Sequence, residues 1–246
     1  LYRLPVASFE SSNTDAFQPQ KYFDKLERQL VSYEAVRYDG STETLTVPVS
    51  YNPATGRYYL MDPERLIAVG DFYNVVYGGD MDFISSDDPT AWRSGDVLAY
   101  DRYIKAYDFY AGLGLYSVDG SGLPIMVCVS YCDFNGLPVD NAGYCGIKYG
   151  WAIFGASDVN YFSEAVDVVG HEFTHGVTSS SAVGNYYAND SGAINEAYSD
   201  IMGNLCEMMG GYTLEAKVRS VMFGLGFKED DMARHTGDFS GGWQMR

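Results

Sequence analysis

Near residue 160 the apolar residues change their spacing, and that change limits the chain to architectures joining a β-rich part to a helical one. Upstream, over residues 33–131, short runs are broken by turn formers. Glu43-Thr44-Leu45-Thr46-Val47-Pro48-Val49 and Arg57-Tyr58-Tyr59-Leu60 read as strands on either side of Asn52-Pro53-Ala54-Thr55-Gly56. Residues 90–113 depart from this pattern. There Val97, Tyr100, Ile104, Tyr107 and Ala111 recur at helical spacing and Gly112 marks the end, which predicts a long helix lying against the sheet. Downstream, Val166, Val169, Phe173 and Val177 form one helical stripe, and Ile194, Ala197, Ile201 and Leu205 form a second. Both stripes are expected to face one core. The expected fold is α+β, with a mainly β N-terminal lobe over 1–160 and a helical lobe over 161–246. Residues 1–25 are polar enough to be a loosely held arm, and no internal repeat or low-complexity segment interrupts the pattern.

Composition removes several functions. A chain of 246 residues, 46% hydrophobic, with 22 Tyr and 13 Phe, has the means to bury a core and is not disordered in composition. Its net charge of −17 would repel phosphate backbones and anionic membranes, so neither nucleic acid nor a membrane is expected as a partner. No run of apolar residues is long enough to span a bilayer. The start at Leu1-Tyr2-Arg3 lacks both Met and a signal-like apolar run, so a processed or trimmed form is expected. Of the four cysteines, Cys128, Cys132 and Cys145 are close enough in sequence for one disulfide among them, and Cys206 falls on an apolar helix face as a buried thiol.

The chemistry concentrates in His171-Glu172-Phe173-Thr174-His175. Histidines four residues apart on a helix present both imidazoles on one face, one turn apart, where they chelate a single cation. Glu172 projects beside them. Zinc at such a pair lowers the pKa of water towards neutrality, and an adjacent carboxylate can take the proton as the water attacks a carbonyl. A catalytic zinc site needs a third protein ligand, a carboxylate or a histidine, and leaves a fourth position open. Gly192-Ala193-Ile194-Asn195-Glu196-Ala197-Tyr198-Ser199-Asp200 supplies Glu196 on the following helix. Asp200, one turn further on, is placed to accept the second ring N–H of a ligand histidine and so to set its tautomer. Two of the chain's three histidines lie in the first motif, which lifts the pair of helices above a chance H-E-x-x-H.

His171-Glu172-Phe173-Thr174-His175-Gly176-Val177-Thr178 with Ser191-Gly192-Ala193-Ile194-Asn195-Glu196-Ala197-Tyr198-Ser199-Asp200 closely resembles the two-helix signature of the thermolysin family of secreted neutral proteases. A weaker likeness runs over residues 33–219. The resemblance implies His171, His175 and Glu196 as zinc ligands, Glu172 as general base and Asp200 as the partner that orients His171. It further implies that Tyr187 helps to stabilise the oxyanion, and that Asn141-Ala142 is an edge-strand pair whose polar groups hold the substrate backbone. Arg219 would border the pocket for the residue after the scissile bond, with Val168 on the opposite wall, and that pocket favours large hydrophobic side chains. Asp167 and Glu207 fall where the family places two calcium carboxylates. Taken without the family, Tyr187 reads as a surface tyrosine, Asn141 as an Asx turn and Arg219 as a helix surface residue.

The chain also departs from the family. Gly143 stands where the family has an aromatic residue, which opens the cleft on that side. The acidic loop that completes the calcium site is shortened to Met209-Gly210-Gly211-Tyr212-Thr213-Leu214-Glu215, so Asp167 and Glu207 hold either a single calcium or act as a capping pair. The family's downstream histidine, which hydrogen-bonds the tetrahedral intermediate, has no match. His235 aligns best with a nearby non-catalytic position; if Ser240-Gly241-Gly242-Trp243-Gln244 matches the segment leading into the catalytic histidine, that position holds Gln244, and loss of such a donor costs roughly a hundredfold to a thousandfold in rate. The chain ends at Arg246, so the helical lobe is expected to be truncated.

The function expected is zinc-dependent endopeptidase action on extended peptides, cutting before a hydrophobic residue, in a zinc cleft between the lobes on the H-E-x-x-H helix. Zinc is the expected cofactor, with calcium as a second ion. A peptide or protein is the expected partner, the chain a monomer and, by the resemblance, secreted. Two alternatives stand beside this. One is a zinc-retaining domain of weak or no activity, a binding module or a fragment of a longer protease. The other is a zinc hydrolase of non-peptide amides, which would not need the Asn141 edge strand.

Overall fold

The computed structural model describes residues 23–71, 82–131, 139–145, 150–155, 162–180, 189–209 and 228. In chain order the described strands are β1 (Glu27–Val36), β2 (Thr42–Asn52), β3 (Arg57–Tyr59), β4 (Met61–Asp62), β5 (Ile67–Asp71), β6 (Asp82–Phe83), β7 (Ser85–Ser86), β8 (Ile125–Tyr131), β9 (Ala142–Cys145) and β10 (Gly150–Gly155). The described α-helices are α1 (Ser94–Gly112), α2 (Val166–Ser180) and α3 (Asn189–Met209). The architecture is α+β.

Alternating Leu45, Val47 and Val49 bury one face of β2, which pairs antiparallel with β1 from Glu27 opposite Tyr51 to Val36 opposite Thr42. The chain reverses at the expected turn. The Asn52 side-chain oxygen accepts from Ala54 N at 2.9 Å, and Gly56 closes the turn at φ +69, where a Cβ would be strained. The first sheet then runs β1-β2-β3-β7. The second runs β4-β5-β8-β10-β9, with β6 also on β5. At its centre β8 lies parallel to β5 and β10, and its apolar run Ile125-Met126-Val127-Cys128-Val129 is buried, as a strand covered on both faces requires. Among the described strands β9 lies at the end of this order, antiparallel to β10.

The segment expected to lie as a helix against the sheet does so, and it is covered by helices as well. Val97, Leu98, Ala99, Tyr100, Tyr103, Ala106, Phe109 and Tyr110 of α1 are all buried, because the helix has β1, β2, β5 and β8 on one side and α2 and α3 on the other. It begins at Ser94. Thr90 is held instead in a turn, its N–H donating to Asp88 Oδ1 at 2.7 Å. Buried Arg102 ties α1 to the first sheet through the Glu43 carboxylate and to the 3-10 turn Phe162–Glu164 through the Glu164 carbonyl at 3.1 Å. Pairing of this kind is what allows a guanidinium to sit in a core.

Residues 1–22 of the stretch expected to be a loose arm lie outside the described residues, and Phe23, close to its end, is buried with Met61, Ala68, Met126 and Cys128. Those residues alternate along β4, β5 and β8 with the members of the main core, so Phe23 covers the opposite face of the second sheet. One expectation fails, and it concerns α3. Ile194 and Ile201 of the expected inward stripe are 55% and 55% exposed, Ala197 is exposed, and only Leu205 is half-buried. The face turned inward carries Gly192, Asn195, Ser199, Met202, Gly203, Cys206 and Met209. The reason is a close crossing of α2 and α3. A Cβ on Gly203 would stand 2.9 Å from His171 N and closer still to the Asp167 carbonyl, and one on Gly170 would stand 3.1 Å from Gly203 Cα. Only a face of small side chains lets the two backbones approach so nearly. Cys206 is buried as expected, and burial pushes its thiol up to about 12.

Candidate metal centre

The close crossing brings three acceptor atoms together. His171 Nε2 and His175 Nε2 are 2.9 Å apart, and Glu196 Oε2 lies 3.2 Å from the first and 3.6 Å from the second. Each imidazole is anchored through its other nitrogen. His171 Nδ1 lies 2.9 Å from Asp200 Oδ1, and His175 Nδ1 lies 2.8 Å from Asn195 Oδ1 and 3.2 Å from Ser199 Oγ. A carboxylate oxygen and an amide oxygen only accept, so each Nδ1 carries the hydrogen and each Nε2 presents a lone pair. Two lone pairs and a carboxylate oxygen then converge with no donor among them, which favours a cation at their centre. Four-coordinate zinc at about 2.0–2.1 Å from such donors would set them roughly 3.3 Å apart, so the observed set fits. Burial lowers the His175 pKa below its ordinary value, which keeps the ring in its neutral, metal-binding form at neutral pH. Among the described residues this is the one group of three such side chains close enough to hold a metal ion.

Glu172 sits next to this group but apart from it, 7% exposed. Burial first, and then the negative charge of Glu196, push its carboxyl up to about 8, while the backbone N–H of Tyr144 holds it in the opposite sense. That contact joins α2 to the edge strand β9. Asn141 immediately precedes β9 and Ala142 begins it, both half-buried, so the pair lies on the strand whose backbone touches Glu172. Val168 is half-buried on α2, one turn before His171. Behind the site, Phe173 anchors α2 to α1, stacked on Tyr110 at 5.0 Å and tilted against Tyr103 at 5.5 Å. Thr174 adds a hydroxyl contact to Tyr110 at 2.7 Å.

Other expected site residues are not brought together. Asp167 Oδ1 accepts from Val168 N at 2.9 Å at the start of α2, Glu207 is exposed on α3, and no third carboxylate joins them among the described residues. Tyr187 and Arg219 lie outside the described residues, as do Cys132, His235 and Gln244. Asn195 is the partner that sequence reasoning passed over. Its signal was available, one position before Glu196 and five before Asp200. A helix that points Glu196 at the two histidines also turns Asn195 towards His175, and a metal-binding histidine needs an acceptor on its second nitrogen.

Comparison with known proteins agrees with this geometry. The chain is 36% identical over 171 residues to a thermolysin of Alicyclobacillus acidocaldarius subsp. acidocaldarius and equally to a bacillolysin of Bacillus caldolyticus, matches that cover 65% of this chain and 30% of each relative. It is 33% identical over 178 residues to the neutral protease NprE of Bacillus pumilus, covering 67% of this chain and 57% of that protein. The chain therefore spans about a third of the length of the first two relatives. A solved precursor of protealysin, a metalloproteinase from Serratia proteamaculans, superposes with a TM-score of 0.49 at 31% identity over 58% of this chain and 43% of that one. The model of the thermolysin metallopeptidase catalytic domain matches residues 37–179, which include both histidines, Glu172 and the β9 edge strand. With the fold, the paired histidines and more than half of its length accounted for in this way, the chain belongs to the thermolysin metallopeptidase family.

Proposed function

We propose that this chain binds zinc through His171, His175 and Glu196 and hydrolyses peptide bonds as an endopeptidase. The observation that carries the reading is the convergence of three acceptor atoms within 4.8 Å of one another, each histidine held by an acceptor on its other nitrogen. Zinc, when bound, supplies Lewis acidity that polarises a carbonyl and brings the pKa of water towards neutrality. The protein's own groups do the rest. Asp200 and Asn195 fix the two imidazoles and raise their basicity by accepting the Nδ1 hydrogens. Glu172 takes the proton of the attacking water and hands it to the leaving nitrogen. β9, last in the order of the described strands, offers an extended peptide a strand to pair with, and Asn141 and Ala142 lie where its backbone would run. Tyr187 as an oxyanion donor, and Arg219 with Val168 around a pocket for a large hydrophobic residue after the cut, complete the proposal on the strength of the family resemblance. Secretion and an auxiliary calcium at Asp167 and Glu207 rest on the same resemblance, and the lobe boundary at 160/161 rests on the change of apolar spacing along the chain.

Metal analysis of the purified chain and of Glu196→Ala tests the ligands, and casein hydrolysis by the wild type and by Glu172→Gln tests the chemistry. One zinc per chain in the wild type, lost in Glu196→Ala, is expected, with cleavage that vanishes in Glu172→Gln while zinc is retained. Folded, zinc-loaded wild type that cleaves nothing would leave a zinc-binding domain and end the peptidase reading for this chain.

A further inference from the structure

Among the described residues two buried side-chain hydroxyls have no hydrogen-bond partner, those of Tyr100 and Tyr103 on α1. Both residues are fully buried. A hydroxyl buried in this state is destabilising where a phenylalanine would not be, so each calls for an explanation. Their surroundings differ. The charges that bear on the Tyr100 hydroxyl are those of Asp62, Arg28 and Arg65, an ion cluster linking β1, β4 and the turn into β5. The Tyr103 ring packs on Phe173, the residue after Glu172, and the groups that bear on its hydroxyl are Tyr144, Glu172 and Cys128. It therefore lies in the core against the helix that carries the proposed base.

Among the described residues Glu172 is itself short of partners. A carboxylate has roughly four acceptor sites, and the bond that holds this one comes from the backbone N–H of Tyr144. We propose that Tyr103 is a positioning residue for Glu172, its hydroxyl donating to the carboxylate, directly or across one water, when substrate engages the site. The proposal rests on the peptidase reading above. Hydrogen bonds around a catalytic base are commonly long in the free enzyme and tighten only when substrate binds, so an idle donor in the resting chain is what such a device would look like. A phenol is suited to the task. Burial raises the Tyr103 pKa well above its ordinary value, so it steadies the carboxylate without competing to give up its own proton.

Tyr103→Phe, Tyr100→Phe and the wild type separate this from packing, because the two substitutions delete the same atom from the same helix. Zinc-loaded Tyr103→Phe is expected to lose roughly tenfold to a hundredfold in kcat, the worth of a hydrogen bond to a charged group, with KM within about twofold and thermal stability equal or higher. Tyr100→Phe should keep wild-type kcat. In protein carrying ¹³C-carboxyl glutamate and saturated with a non-cleavable peptide analogue, the infrared carboxyl band that disappears in Glu172→Gln should shift in Tyr103→Phe and stay in place in Tyr100→Phe. Unchanged kcat in Tyr103→Phe, an equal loss in both variants, or an unmoved band would each overturn the proposal. Should the wild type cleave nothing, the peptidase reading fails, and the band still reports whether Tyr103 touches Glu172.

Discussion

Replacing Gly203 by alanine should separate the two helices that build the metal centre. The new methyl would stand 2.9 Å from His171 N and nearer still to the Asp167 carbonyl, both backbone atoms within a helix that cannot yield locally. Carbon contacts normally settle at about 3.5–4.0 Å, so α3 must retreat from α2 by about 1 Å. Glu196 rides on α3, and its 3.2 Å separation from His171 Nε2 would open accordingly. Asp200 and Asn195 move with it, so the third donor and both orienting contacts are disturbed together. Disturbing an orienting contact alone typically lowers metal affinity roughly 10–100-fold, and a fall at least that large is expected here. Stability should change less. Overpacking costs about 1–3 kcal/mol, offset by up to about 1 kcal/mol from the better helix propensity of alanine. For a chain of this size the net loss amounts to a melting temperature lower by roughly 2–8 °C. Competition with a chromophoric zinc chelator measures the affinity, and thermal melts measure the stability. Gly95→Ala on α1 is the control, since a Cβ there meets nothing within 4 Å. Wild-type zinc affinity in Gly203→Ala would refute the idea that this close crossing sets the ligand geometry.

Asn195→Ala should lower zinc affinity roughly 10–100-fold by releasing His175 Nδ1, and the same chelator competition would show it. Met202→Ser should cost about 2 kcal/mol or more in urea unfolding, while Ile201→Ser should stay within about 0.5 kcal/mol, the reverse of what hydropathy alone expects of neighbouring apolar residues. The hydrogen bond from Arg102 holds the Glu43 carboxyl below its ordinary value, against the opposing effect of burial. A depressed carboxylate stabilises the fold above its unfolded pKa and loses that contribution as pH falls through the folded one. The stability gap between wild type and Glu43→Gln should therefore be widest near pH 7 and close progressively below about pH 4. A gap that stays constant from pH 7 to pH 3 would rule out the Arg102 pairing as its source.

Much of this protein is local chemistry and could be read directly. The Asn52-Pro53-Ala54-Thr55-Gly56 turn, the β2 alternation and the helical placement of His171 and His175 depend on residues within a few positions of one another. A helix of 3.6 residues per turn puts the two imidazoles on one face whatever surrounds it. Glu196 was legible for a similar reason, as a carboxylate on the next helix within a pattern that few other metal sites share. Phe23 was hidden by its polar neighbours. It was the exposed second face of a sheet assembled from β4, β5 and β8 that gave it somewhere to bury.

The orientation of α3 belongs to the tertiary structure. By hydropathy, Ile194, Ala197, Ile201 and Leu205 should turn inward, because apolar burial scales with apolar area. The contact between α2 and α3 is governed instead by how nearly two backbones can pass, and for that the informative residues are Gly170, Gly203, Ser199 and Cys206, which carry little or no hydrophobic signal. Sequence by itself determined which atoms could bind a metal, since spacing along a helix is a covalent property. Whether those atoms meet, which asparagine steadies the second histidine and which tyrosines pack on Phe173 are distances between segments far apart in the chain, and only packing sets them.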